Sequence, residues 1–422
     1  MAADPGGLNP PQAVRGLRPL YPAVACSYFG YAMMGTLFVP MLMSRTAGFL
    51  PAGDPTSRRT VIIGLLLMLY PLGQFAGNPL LGALSDRLGR RTVLLASSGA
   101  TVACYVGVAV ALTVKSLLLL APFLLLCGLV EANLALAMSA IADTTGPQER
   151  GTYIGRVFVL TSVAYALGPP VGGVLAARLG YAAPFWLIAG GLLFVLAALW
   201  LRFAETLPAQ RRRAAPLLGS LATFGDVVTD RRLRGVYLAN LLVFTAAMGF
   251  WRVVTIYLVD EWRLSVDEVT ALYAVFAVGA GVGNLVVLPW AAKRFSTART
   301  GVVAGALAAG TLLAATLPSN LGMPGSLPLT MTAGVVASGG LAVALSAAAS
   351  VVSAEAPAEE QGRVLGNNAA LLVLGEVIGV SGGSFVAGAD PALPEIVFAV
   401  LAAGYAVSML SRARRRDFHH TP

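Results

Sequence analysis

The chain has 422 residues, of which 57% are hydrophobic and only 12% charged. Soluble domains carry about 25% charged residues, so this composition excludes a water-soluble globular protein. The net charge of +9 does not mark a nucleic-acid surface, because the basic residues sit mostly at the ends of long apolar runs, as in a membrane protein.

Charged residues punctuate the apolar blocks, which is the pattern of membrane helices rather than of a barrel. Arg15 and Arg18 precede the first run, which is too long for the apolar core of a cleaved signal peptide. Spans are expected near 20–44, 60–83, 92–114, 116–142, 152–177 and 181–203. Six more are expected near 235–259, 267–291, 299–319, 327–352, 364–388 and 392–411. Crossing a bilayer takes about 20 apolar residues, and each run is long enough. With the N-terminus inside, most arginines and lysines fall on cytoplasmic segments, although Arg58 and Arg59 run against the bias. Both termini are therefore expected in the cytoplasm, with the chain in a plasma membrane.

The connection over 204–234 is the longest. Arg211, Arg212 and Arg213 are followed by Leu217, Leu221, Phe224 and Val228 at helical spacing. An amphipathic helix on the inner membrane face or a flexible linker would both give this pattern. The connection separates a first half, 1–203, from a second, 235–422. The two halves repeat. Gly151 and Gly155 match Gly362 and Gly366, and Gly168 and Gly172 match Gly379 and Gly383, at one offset of 211 (362 − 151).

Cys26, Cys104 and Cys127 all lie inside apolar runs and read as small buried side chains, with no spacing for a metal or a disulfide. His419 and His420 stand at the tail, and no acid–base cluster appears, so an enzyme is not expected. Gly64 and Gly73 are isolated, with no nucleotide-binding signature around them, so energy should come from an ion gradient. No cofactor and no metal are expected.

Three ionisable residues fall well inside spans: Glu131, Glu376 and Arg252. Intramembrane charges are costly, which makes each a functional candidate. Protonated carboxyls bonding between helices, and an arginine reaching back to the interface, are the alternatives. Asn133 lies beside Glu131, and Tyr28 and Tyr31 are placed to line a cavity or to anchor at the interface.

The most distinctive stretch is Gly82-Ala83-Leu84-Ser85-Asp86-Arg87-Leu88-Gly89-Arg90-Arg91. It reads as a very short cytoplasmic loop between the second and third spans. Gly82 would allow close helix approach, and Gly89 a sharp turn. Asp86 is an anion suited to the positive N-terminal end of another helix. This stretch resembles the loop between helices 2 and 3 of the major facilitator superfamily, Gly-x-Leu-Ala-Asp-Arg-x-Gly-Arg-Lys. The fifth span runs from Gly155 through Ala164 to Gly168-Pro169-Pro170-Val171-Gly172-Gly173, similar to the antiporter signature of that superfamily.

The resemblance implies an all-α integral membrane protein with twelve helices in two pseudo-symmetric six-helix halves. It also implies a cavity lined by helices 1, 4, 7 and 10, rocking of the halves, and a contact of Asp86 with helix 11 near Gly366. The expected function is secondary active export of small amphipathic molecules (drug, siderophore or metabolite) in exchange for protons. An importer of sugars or organic acids, or a non-transporting sensor of the same fold, are the rivals. Glu131 leads Glu376 as the proton-coupling residue, and Tyr28, Tyr31, Asn133 and Arg252 are the substrate-cavity candidates. The expected partners are the small-molecule substrate, protons and the lipid bilayer, with no nucleic acid and a monomeric chain. Two features depart from the family pattern. Leu124 and Cys127 stand where helix 4 of proton-coupled members often has Arg-x-x-Gln-Gly. The second copy of the loop, over 290–300, has Lys293 for Asp86 and Ser296 for Gly89.

Overall fold

The computed structural model describes residues 16–131, 133–212, 225–320, 327–356 and 360–417. Twelve helices among them are long and apolar enough to cross a membrane. They are α1 Leu20–Met43, α2 Thr56–Leu88, α3 Arg90–Thr113, α4 Leu117–Thr144, α5 Thr152–Leu179 and α6 Ala183–Arg202. The second set is α7 Arg234–Trp262, α8 Asp267–Ala292, α9 Thr297–Thr316, α10 Leu327–Glu355, α11 Arg363–Ala387 and α12 Leu393–Ala413. No strand occurs among the described residues.

Two helices depart from what periodicity implies. The stretch over 82–91 is not a loop: α2 runs on to Leu88 and α3 starts at Arg90, so Gly89 alone separates them. Gly89 has φ 99°, a conformation that side chains with a Cβ rarely adopt. Within the apolar run of α4, the helix Leu117–Val130 stops at Glu131, with φ −93° and ψ 81°, and a second helix starts at Asn133. Among the described residues of the 204–234 connection, the regular elements are a 3-10 turn at Ala209–Arg211 and a short helix at Asp226–Thr229. Leu217, Leu221 and Phe224 lie outside the described residues, and Val228 is exposed.

The chain packs into two compact units. One comprises the described residues of Met1–Leu37 and Leu72–Leu221, the other those of Phe38–Pro71 and Ala222–Pro422. The end of α1 and the start of α2 thus belong with α7–α12. Gly64 of α2 shows why: a Cβ there would lie 2.5 Å from the Ser384 Cβ of α11.

Each unit is built on the same glycine contacts. In the first, a Cβ on Gly168 of α5 would sit 2.8 Å from Phe29 O of α1, and one on Gly172 would sit 2.6 Å from Met33 Sδ. In the second, a Cβ on Gly379 of α11, the repeat partner of Gly168, would sit 2.5 Å from Thr245 O of α7. Likewise Gly73 and Gly77 of α2 lie against the Leu125 and Leu129 backbone of α4, and Gly279 and Gly283 of α8 against Val335 and Gly339 of α10. Small residues let helix backbones touch, which is how membrane helices gain packing energy without a hydrophobic drive. Gly155, in the same signature as Gly168, faces open space.

Arg58 and Arg59, the two arginines against the charge bias, are both occupied. Arg59 is 1% exposed and donates to Leu42 O at 2.6 Å, Ser44 O at 3.1 Å, Pro51 O at 2.5 Å and Asp54 O at 3.3 Å. It thereby caps the end of α1 and folds the loop that follows. Arg58 pairs with Asp54 at 2.9 Å.

Gly168→Leu and Gly379→Leu are each expected to lower the thermal midpoint of the purified protein, since overpacking a tight contact costs about 1–3 kcal/mol. Gly155→Leu should leave it unchanged. Equal midpoints for all three in a detergent thermal-shift series would remove the glycine contacts from this account.

Candidate functional site

The charged stretch between α2 and α3 closes around Arg90. This side chain pairs with Asp86 Oδ1 at 2.6 Å, with Asp143 Oδ2 at 2.9 Å, and donates to Ser85 Oγ at 2.5 Å. Asp143 ends the second segment of α4, so one guanidinium ties α2, α3 and α4 together. Asp86 was expected to face a helix N-terminus; the partner the structure gives it is Arg90, four residues on, across the turn at Gly89.

The start of α3 has no cap of its own. Glu205, just past α6, supplies one: it accepts from Arg90 N at 2.8 Å and Arg91 N at 3.3 Å. Arg91 answers by donating to Phe203 O and Trp200 O, both at 2.8 Å, at the end of α6. An anion at the positive end of one helix and a cation at the negative end of another each stabilise by roughly 0.3–1 kcal/mol. A Cβ on Gly89 would fall into the Glu205 carboxylate, so this site needs glycine for space as well as for φ. Gly82 has open space around it, and Arg87 is half-buried.

The second feature of this unit is the break in α4. Glu131 sits at the break, 5% exposed, its N–H bonded to Cys127 O at 3.0 Å. Next to it Asn133 donates to Ser27 Oγ of α1 at 2.7 Å and accepts from Ser98 Oγ of α3 at 3.4 Å. Cys26, Cys104 and Cys127, from α1, α3 and α4, all lie within electrostatic reach of Glu131, and the Cys104 and Cys127 thiols hydrogen-bond. Non-helical backbone at membrane depth occurs only where protein or an aqueous cavity surrounds it. Tyr28 and Tyr31 stand edge-on to Tyr165 of α5, with ring centroids at 5.4 and 6.3 Å.

In the other unit Arg252 of α7 and Glu376 of α11 form a buried ion pair, Nε to Oε1 at 3.1 Å. Arg252 is thus held within the unit by an opposite charge. Around the pair, Trp251 Nε1 donates to Ser338 Oγ at 2.9 Å, and Ser338 donates to Phe276 O at 2.9 Å. Tyr273 donates to Trp251 O at 2.7 Å, so the Thr255 hydroxyl, 2.7 Å away, is the donor to the Tyr273 oxygen. About three turns earlier on α7, Asn240 donates to Asn368 Oδ1 at 2.7 Å and to Ala348 O at 3.2 Å. The degenerate second copy of the loop has Arg294 over the Trp290 ring at 4.7 Å in place of an acid partner.

The structure therefore brings Glu131 and Asn133 together in one unit, and Arg252 and Glu376 together in the other. Asp143, Glu205, Ser27, Ser98 and Ser338 were not visible as site residues. Only Glu205 carried a signal, an acid at the end of an apolar run next to Arg202. Among the described residues, no group of three or more His, Cys, Asp and Glu side chains is placed to hold a metal ion.

Twelve spans, repeated helix contacts and buried polar groups inside the bundle define a multi-pass membrane transporter. The chain belongs to the Major Facilitator Superfamily, whose family model matches residues 20–254 and 236–421. It is 31% identical over 328 residues to the class C tetracycline resistance protein of Escherichia coli, covering 75% of this chain and 77% of that protein. It is 29% identical over 276 residues to the enterobactin exporter EntS of Shigella boydii, covering 64% of this chain and 62% of the exporter. The human organic anion transporter MFSD10 (TETRAN) shares the fold at TM-score 0.68 and 19% identity, over 94% of this chain and 99% of that one. A D-xylose-proton symporter does so at TM-score 0.70 and 16% identity, over 93% and 96%.

Glu205→Ala should expose the first N–H groups of α3 and cost about 1 kcal/mol, the usual worth of a helix cap. Glu205→Gln should keep part of that. A thermal-shift comparison in which both variants match the native protein would show that the cap carries no stability.

Proposed function

We propose that this chain is a secondary active exporter of small amphipathic molecules, driven by inward proton flow through alternating access. It works as a monomer in the plasma membrane, the inner membrane in a bacterium, with both termini in the cytoplasm. The observation that carries this reading is Glu131, a buried acid at a break inside a membrane span. A carboxyl in low dielectric exchanges its proton only when its surroundings change, which is what a proton-coupled cycle requires. The fold does not choose the direction of transport, since a proton symporter shares it. The relatives in sequence, a tetracycline resistance protein and an enterobactin exporter, favour export over import.

In this mechanism, substrate and proton favour opposite states of Glu131. The second segment of α4, Asn133–Thr144, links that residue to the charged stretch, because Asp143 at its far end holds Arg90. Movement at the break is thus passed to Arg90, Asp86 and Glu205, the gating elements. Glu376 is tied to Arg252, and that pair serves as the internal counter-charge of its unit. The contacts of Gly168 and Gly172 with α1, flanking Pro169 and next to Gly173, give α5 a close surface to shift along.

Glu131→Gln keeps size and hydrogen bonding but cannot titrate. In proteoliposomes it should abolish export driven by a pH gradient while leaving substrate exchange in place. Unchanged pH-driven export in this variant, together with its loss in Glu376→Gln, would move the coupling role to Glu376. Asp86→Asn should slow transport at normal membrane levels, since it removes one of the two carboxylates that hold Arg90. Native rates in that variant would remove Asp86 from the gate.

A further inference from the structure

Glu395 lies in the first turn of α12 and takes no part in the cycle described above. It is 2% exposed, and neither Oε1 nor Oε2 has a hydrogen-bond partner. Burial without a hydrogen-bond partner makes an ionised carboxylate costly here, against the positive N-terminal end of α12, which favours it. Asp390, in the connection before α12, is within electrostatic reach of it. Asp390 also lines a cavity of about 400 Å³ with Tyr257, Asp260, Glu261 and the 391–392 backbone. Two helices, α7 and α11, end beside that cavity, at Trp262 and Ala387, and their C-terminal carbonyls add negative potential. Asp390 is the residue common to the cavity and to the surroundings of Glu395, which does not itself line the cavity.

α12 packs against α7, α9 and α11. From α7 the titratable groups are Arg234 and Tyr237 near its start and Arg252, Tyr257, Asp260 and Glu261 toward its end; from α11 they are Arg363 and Glu376. α9 carries only Arg299, and its Gly301 and Gly305 meet Tyr405 and Ala402, which sets Arg299 several turns from Glu395. At the start of α2, where Thr60 meets Gly388, stand Arg58 and Arg59. Of the cations around it, Arg252 is engaged by Glu376, Arg363 by Glu360, Arg58 by Asp54 and Arg59 by backbone carbonyls, while Arg263 directly follows α7 beside Glu261.

We propose that Glu395 is a second proton-binding site, exchanging with the outer aqueous phase through the Asp260–Glu261–Asp390 cavity. A hydronium ion in the cavity gives its proton to a Glu395 oxygen and leaves as water; the reverse step releases the proton when α12 parts from its neighbours. The outer placement rests on the orientation given under the proposed function, whereas the proton site itself does not.

The test is infrared difference spectroscopy of the whole protein in lipid, comparing native, Glu395→Gln and Asp390→Asn chains. The native protein should show a protonated-carboxyl band at neutral pH that Glu395→Gln lacks, and hydrogen–deuterium exchange of that band should slow several-fold in Asp390→Asn. Glutamine mimics the neutral acid, so the variant should fold; if it does not, Glu395→Asp reads the same site by shifting the band. Export by Glu395→Gln should also lose part of its dependence on external pH. An unchanged band in Glu395→Gln overturns the proposal even if native export is proton-coupled. A Glu395-dependent band in a protein whose export ignores pH would uphold the site and refute the antiport reading instead.

Discussion

Charge in an apolar interior is the constraint on which this structure turns. Burying an unmatched ion costs several kcal/mol, and a matched pair roughly breaks even. Arg59, Arg90 and Arg252 each meet that cost with named oxygens rather than with water. Because such pairs add little net stability, their value here is positional. Arg59 fixes the end of α1, Arg90 fixes three helix ends, and Arg252 fixes α7 to α11. Glu395 meets the same constraint from the other side, as a buried acid whose oxygens have no hydrogen-bond partner.

The second constraint is that every backbone polar group must be satisfied within the bundle. Unbroken helices do this automatically, and the glycine contacts of α2 with α4, α5 with α1, and their counterparts in the other unit bring such helices into backbone contact. The break at Glu131 departs from this, and it coincides with a polar knot of Asn133, Ser27 and Ser98. A local departure from regular helix next to a buried acid is where a structure stores a functional compromise. Through the short segment from Asn133 to Asp143 that compromise is mechanically joined to the Arg90 cluster.

The spans were legible because an apolar run of sufficient length has one solution in a bilayer. The charged stretch from Gly82 to Arg91 was legible as a motif, but its helical continuation was not, since glycine and charge in a short connection also describe a loop. The break at Glu131 was not legible, because Glu131 and Asn133 in an otherwise apolar run fit an unbroken helix equally well. The capping by Glu205 joins positions more than a hundred residues apart, and the pairing of Arg252 with Glu376 spans as much, so no local pattern could announce either. The reading of buried side chains holds for Cys104 and Cys127, with Cys26 half-buried, yet their convergence on Glu131 came only with the packing.

The central claim is that substrate and proton exclude one another at Glu131. It is tested most directly by adding a panel of amphipathic candidates to purified protein in weakly buffered solution and recording the pH. A compound that binds should release protons from the native chain and none from Glu131→Gln. Binding without proton release, or equal release from both chains, would contradict the claim.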